Sequence, residues 1–308
     1  MILRRFRRGV VFAVLASAAV GVWAAATVPA TPVGYSVRSD IDRKLYRIDM
    51  GTGAATALGP TGFSKIEALA MNSAGELFAV NPVTAQLAKC STNTGACTVV
   101  GTLTGLPQTQ TNAGLAFAHT GALYMAMNAV VFRVDPATGA VAALGGSGPA
   151  ISGLAGVTPQ ANCASGLYGM GGNTDAGKLF CIDVSNGVAT LLGTLAAMNS
   201  LDIGLDGDPT TGMVWAITNS EPSRVFAVSP GTLAVANMNN VTLDGVPTGG
   251  FESLAIVKSA TTAPTNPAAV DPIPQIPATS PWALLLLALA TGLLGLTAGN
   301  RCAPVRRS

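Results

Sequence analysis

A single histidine in 308 residues removes much of ordinary enzyme chemistry. A Ser-His-Asp triad would have to be built on His119, which sits in a turn-like stretch at residues 117–121 with no nucleophile elbow near it. His119 is read as a solvated loop residue. Charge is also scarce, at 10% of the chain. Of the 17 Lys and Arg, four precede residue 27 and three follow residue 300, so the stretch between holds ten against all 15 Asp and Glu. The whole-chain charge of +2 therefore hides a mildly acidic centre. That balance argues against nucleic acid or anionic lipid as the natural partner. Aromatics make up 5%, which disfavours a surface of stacking rings for sugars. No convincing phosphate loop exists, because the glycines at 169, 171 and 172 run into a strand-like segment and not into a helix start.

What the chain does contain is a repeat. Its clearest copy, residues 121–145, has an apolar run with an aromatic (Leu123, Tyr124, Met125) and a second run ending in Asp135. A Pro-Ala-Thr-Gly turn and a third run closed by Gly145 follow. The first aromatic recurs at Tyr35, Phe78, Tyr124, Tyr168 and Trp215, at spacings of 43 to 47 residues. The turn glycine recurs at Gly53, Gly95, Gly139, Gly187 and, less cleanly, Gly231. A fourth element precedes most copies: Ala68-Leu69-Ala70, Gly114-Leu115-Ala116, Gly153-Leu154-Ala155 and Ser253-Leu254-Ala255, with a copy shifted by one at residues 202–205. Four short runs per unit, punctuated by Gly, Pro, Asn and Thr, are strand and hairpin signals. A period of roughly 40 to 50 residues with four strands is a propeller blade. The repeat begins inside a unit, at the Tyr35 strand, and ends on residues 251–257. That last segment can supply the inner strand that the first blade lacks. The expected fold is therefore all-β, a five-bladed β-propeller of four-stranded blades.

The ends of the chain differ in kind. Arg4, Arg5, Arg7 and Arg8 precede an apolar run and Ala24-Ala25-Ala26, the pattern of a secretory signal peptide over residues 1–26, weighed against an uncleaved anchor. The propeller domain is assigned to residues 27–258. Residues 259–281 form a Pro/Thr/Ala-rich linker. Residues 282–300 are long enough for a short transmembrane helix, and Arg301, Arg306 and Arg307 in the tail 301–308 place it on the cytoplasmic side. Ile276, Pro277, Ser280 and Trp282, followed by that helix and basic tail, resemble the IPTLS-type C-terminal sorting signal of Gram-negative bacteria; Ala278 and Thr279 stand where Thr-Leu is usual. The resemblance covers the last 33 residues. It implies an exosortase-like sorting enzyme as a partner, after the Sec translocon and signal peptidase. It also implies a transient stay in the inner membrane through the C-terminal helix before delivery to the envelope, surface or medium.

Five cysteines in an exported chain point to disulfides. Cys90 and Cys97 bracket a turn, at positions where other units place facing apolar pairs such as Val134 and Val141. Cys163 and Cys181 would form the second bridge, and Cys302 stays unpaired. Asp202, Asp206 and Asp208 have some flavour of a calcium loop, although turn chemistry also explains them. Glu67, Asp202 and Glu252 fall at or near the start of innermost strands, beside Ala113 and Ser152 at the same level. Acids meeting at one mouth raise each other's pKa unless a cation or ligand hydroxyl intervenes. No cofactor is required; calcium is the one metal the pattern allows. The expectation is a non-enzymatic binding or scaffold module for an envelope component or glycan. A glycosidase-like hydrolase using the mouth carboxylates is the alternative, and a matrix protein without a ligand is a third reading.

Overall fold

Each apolar run of the repeat is a strand in the computed structural model, which describes residues 31–106, 112–195 and 202–258. The signal peptide, the linker, the sorting motif at Ile276, Pro277, Ser280 and Trp282, the C-terminal helix and Cys302 lie outside the described residues. Among the described residues no helix is long and apolar enough to cross a membrane.

The first sheet opens with β1 (Val33–Val37), β2 (Lys44–Asp49) and β3 (Ala54–Pro60). The second blade is β4 (Ala68–Met71), β5 (Leu77–Asn81), β6 (Gln86–Cys90) and β7 (Cys97–Thr102). The third is β8 (Ala113–Phe117), β9 (Leu123–Met127), β10 (Val130–Val134) and β11 (Val141–Gly146). The fourth is β12 (Ile151–Gly156), β13 (Leu167–Gly171), β14 (Lys178–Ile182) and β15 (Ala189–Thr194). The fifth is β16 (Ile203–Gly207), β17 (Val214–Thr218), β18 (Arg224–Val228) and β19 (Val235–Asn240). Three two-residue strands follow: β20 (Thr242–Leu243), β21 (Val246–Pro247) and β22 (Ala255–Ile256). The chain is thus an all-β, five-bladed propeller with antiparallel meanders for blades.

Burial explains the sequence pattern. Strands β8 and β9 are buried at every position, β10 is partly open and β11 has no fully buried residue. Inner strands are covered on both faces by neighbouring blades, so they read as continuous apolar runs and not as alternation. Five hydrophobic clusters fill the five wedges between blades. One of these wedges lies between the fifth blade and the first, with Trp215 and Ile217 meeting Tyr46, Phe251 and Leu254. A filled fifth wedge is what distinguishes a closed ring from an open array.

Closure uses both edges of the first sheet. On the inside, β22 pairs with β1 through Tyr35↔Ala255 and Gly34↔Ile256, as the offset of the repeat requires. On the outside, β20 runs parallel to β3 through Thr242↔Ala54 and Leu243↔Ala55, and β21 folds back on β20. The first sheet therefore has six strands where four were expected. The surplus hairpin covers the outer edge of β3, a place where an unpaired strand invites association.

Inner strands pack nearly backbone to backbone. A Cβ on Gly204 would lie 2.5 Å from the Ser253 carbonyl carbon, and one on Gly114 2.8 Å from the Leu154 nitrogen. These contacts put Gly204-Leu205 level with Gly153-Leu154. Strand β16 pairs with β17 without a break, whereas β12 shifts register between Ile151 and Gly153. The irregularity thus falls in the fourth blade and not the fifth, and the level of Glu67 and Glu252 is taken in the fifth blade by Ile203. The turn residue of the fifth blade is likewise not Gly231: Leu233 has φ +59°. Its N–H donates to Ser229 O, as Gly53 does to Asp49 O.

Candidate functional site

Inner strands begin at one end of the ring, where the turns after the second strand of each blade also lie. Asp40 comes from the loop between β1 and β2. Lys65 and Glu67 come from the connection into β4, Asp202 from the residue before β16, and Glu252 from the segment leading to β22. Because the first blade sits between the fifth and the second, these groups form one continuous arc of the mouth. Elsewhere on the rim Asn112, Asn128, Ser152 and Asn173 border a small cavity of about 60 Å³, and the turns of the fourth and fifth blades add the Asp175–Lys178 pair and Glu221.

Local bonds fix the arc. Ser39 Oγ donates to Ile66 O at 2.6 Å and accepts from Ile66 N at 3.0 Å, clamping the segment that carries Lys65 and Glu67. Glu67 N donates to Val80 O, Asn219 N to Asp202 O and Glu252 N to Val37 O. Arg38 reaches across the closure, donating from Nε to Gly249 O at 3.0 Å, with its guanidinium over the Phe251 ring. Lys65 Nζ lies 2.7 Å from Glu67 Oε1 and 3.2 Å from Asp40 Oδ1.

One ammonium therefore serves four acids. Glu252 is 4% exposed, and its Oε2 receives no hydrogen bond from an N–H or hydroxyl donor among the described residues. Burial first, and then the hydrogen-bonded Asp40 carboxyl, push the Glu252 pKa up to about 8. Two carboxyls can hydrogen-bond only through a shared proton, so Glu252 carries one at neutral pH. Burial also raises Asp202 to about 6, against the opposing hydrogen bond from Asn219 and the attraction of Lys65.

The mouth does not lead into an open channel. Below Glu67, Ser152 and Ser253 the axis narrows to about 10 Å³, at the limit of one water molecule. Ser253 Oγ is buried there without a hydrogen-bond partner among the described residues. Among the described residues no three His, Cys, Asp or Glu side chains are grouped closely enough to hold a metal ion. The donor set is all oxygen and suits a hard cation in kind, but its placement as it stands does not fit one.

The three aspartates read together as a calcium loop separate completely. Asp202 is at the mouth. Asp208 caps the turn at the opposite end, accepting from Thr210 N at 2.9 Å and Thr211 Oγ1 at 2.8 Å. Asp206 is fully buried between them. It accepts from Lys258 Nζ and Gly207 N on Oδ1, both at 2.7 Å, and from Ile256 N on Oδ2 at 2.8 Å. At that level the other blades carry Ala70, Ala116, Ala155 and Ala255, so Asp206 is a clasp peculiar to the closing seam. His119 lies in the exposed turn after β8, at the end away from the mouth. Both disulfides are formed, Cys90–Cys97 across the β6–β7 ladder and Cys163–Cys181 within the fourth blade.

Sequence reading passed over Asp40 and Lys65, which have no repeat partner, and the asparagines at the rim. The signal for the latter was present: Asn81, Asn128, Asn173 and Asn219 each follow the second-strand aromatic of their blade by three to five residues.

No family model and no curated protein matches the chain. Solved structures of similar shape exist. They include virginiamycin B lyase from Staphylococcus aureus, at 14% identity and TM-score 0.40 over 65% of this chain and 64% of the lyase. Regucalcin from Agrobacterium tumefaciens, described as a calcium-binding protein, aligns at 19% identity and TM-score 0.41 over 68% and 71%. A putative gluconolactonase aligns at 17% identity and TM-score 0.41 over 65% and 75%. The chain thus spans less than two thirds of the lyase. These likenesses concern the fold. The expectation of a non-enzyme is withdrawn: propellers of this shape include structures named as a lyase and a putative gluconolactonase, and shape alone gives no role either way.

Proposed function

We propose that this protein is an exported propeller whose acid-lined mouth receives a small polar ligand presenting hydroxyl or ammonium groups. The observation that carries the reading is Glu252, a buried carboxyl that holds a proton against Asp40 and leaves Oε2 without a donor. A hydroxyl or ammonium of a ligand would supply that donor and let the proton leave. Lys65 and Asp202 would border the same ligand. Export is supported by the two disulfides, which persist in oxidising compartments. C-terminal sorting through residues 276–308 is proposed with it, on the resemblance of that stretch alone.

A second reading rests on a specific feature of the same arc. Glu252 and Asp202 are raised to about 8 and about 6, which leaves one protonated and the other largely ionised near pH 7. Paired carboxyls held apart in this way are suited to acid and base roles, including hydrolysis. A thermal-shift panel of polyols, primary amines and calcium chloride against the full chain tests both readings. At least one probe is expected to raise the melting temperature of the wild type and not of Glu252→Gln. Equal shifts in the two proteins would remove the mouth as the binding end. Turnover of chromogenic glycosides, abolished by Glu252→Gln, would favour the second reading.

A further inference from the structure

A groove of about 630 Å³ runs along the outer side of the wedge between the first and second blades, at the end of the ring that carries the mouth. That volume is in the range of small-molecule sites. Its floor is Phe63, which packs with Leu58 and Cys97 against the core cluster of that wedge. Phe63 N is held by Thr61 Oγ1 at 3.3 Å, and Cys97 N donates to Thr61 O. These bonds hold the backbone of the segment that carries Phe63. Only the second blade carries a β6–β7-type cross-strand disulfide, and that blade forms the groove's other wall.

The lining is chemically one-sided. It combines Phe63 and Val99 with the amides of Asn81 and Gln86 and the hydroxyls of Ser64 and Thr98, and includes no charged residue. One of the amides has capacity to spare. Asn81 Oδ1 is occupied by Val83 N at 3.0 Å, and Gln86 Oε1 by Thr84 Oγ1 at 2.7 Å. Among the described residues the Gln86 NH₂ group, with its two donors, is the unengaged end, whereas Asn81 is itself buried at 2% exposure. An aromatic side chain among neutral donors and acceptors offers no counter-charge to an ion or a nucleotide phosphate. It favours a ligand with an apolar face and many hydroxyls.

We infer that this groove binds a neutral oligosaccharide, one sugar ring lying on Phe63 and its hydroxyls meeting Gln86 and Thr98. The groove lies outside the acidic arc and has none of Asp40, Lys65, Glu67, Asp202 or Glu252 in its lining. A glycan array carrying neutral and acidic oligosaccharides, probed with the full-length chain, is the first test, followed by titration of the best neutral binder. Gln86→Ala and Phe63→Ala are each expected to weaken binding about tenfold, the size of a central contact at an interface. If Phe63→Ala fails to fold, Thr98→Arg places bulk and charge into the groove from an exposed strand position and is expected to abolish binding at an unchanged melting temperature. His119→Ala, at the far end of the ring, serves as the control. The inference is overturned if no neutral oligosaccharide binds at millimolar concentration. Binding that is confined to acidic glycans, or that survives Thr98→Arg, also overturns it. So does a competing extended peptide that displaces the sugar and binds more tightly, since β7 would then be acting as a strand template.

Discussion

Lys258→Met removes the ammonium that lies 2.7 Å from the fully buried Asp206 carboxylate. The carboxylate keeps Gly207 N and Ile256 N as donors, but its charge is left without a partner. Breaking a buried ion pair from one side costs about 3–5 kcal/mol. For a ring of this size each kcal/mol moves the melting temperature by roughly 2–4 °C, so a fall of about 6–20 °C is expected near neutral pH. Burial already raises the Asp206 pKa, and Lys258 opposes that rise. Without the lysine the group binds a proton more readily in the folded state than in the unfolded one. The loss should therefore shrink toward acid pH and grow as the pH rises from the unfolded pKa toward the folded one, levelling off above it. Asp206→Ala added to Lys258→Met should recover part of the loss, because the other four blades hold alanine at this level. Ile256 N and Gly207 N would remain without their acceptor, each a deficit of about 1 kcal/mol. Calorimetric melting at pH 5, 7 and 8.5 reads all three proteins. A Lys258→Met protein that melts within 2 °C of wild type at pH 8.5, or a double variant less stable than the single, would refute the clasp.

Three other outcomes follow from the same geometry. Glu252 has a folded pKa raised to about 8 from the usual 4.5; its protonated form is the one the fold favours, so wild-type stability should decline as pH climbs from 5 to 8.5, and Glu252→Gln should flatten that slope in melting curves. Cys90→Ser opens a loop of eight residues and should cost about 2.5 kcal/mol on the chain-entropy estimate; both thiols alkylating in unreduced exported protein would contradict the bridge. Deleting residues 250–258 takes away Phe251, Leu254 and the β1–β22 ladder together and should abolish cooperative denaturant unfolding, whereas a sharp transition after the deletion would rule out this closure.

The ring was legible because its cause is periodic. Tyr35, Phe78, Tyr124, Tyr168 and Trp215 occupy equivalent places in five sheets, and a pattern repeated five times survives local irregularities such as Leu233 in a glycine position. Cys90 and Cys97 were legible for the same reason, since the other blades mark those two positions as facing each other. Features that occur once left no such trace. Strands β20 and β21 are two residues each, too short to show a period. Lys258 meets Asp206 across some 50 residues of sequence, and nothing local to either announces the pair. At the mouth, the level of Glu67 and Glu252 was readable from the Ala-Leu-Ala alignment. Asp40 and Lys65 arrive from loops whose lengths differ between blades, and the proton on Glu252 depends on a burial that only the assembled ring creates.

The pairing of Tyr35 with Ala255 has a consequence in time. The two residues are about 220 positions apart, and β1 can gain its inner neighbour only after nearly the whole propeller has been made. At roughly 5–20 residues per second this interval is about 10–45 s during synthesis. Blades two to five can stack in the order they emerge, each on its predecessor. The first sheet waits with both edges open until a single short stretch, residues 242–258, delivers the hairpin on one side and the last strand on the other. Whatever attends this chain on its way to the folded state must keep β1 and β3 from finding other partners for that long. Release is set by the arrival of Lys258, the residue that locks the ring.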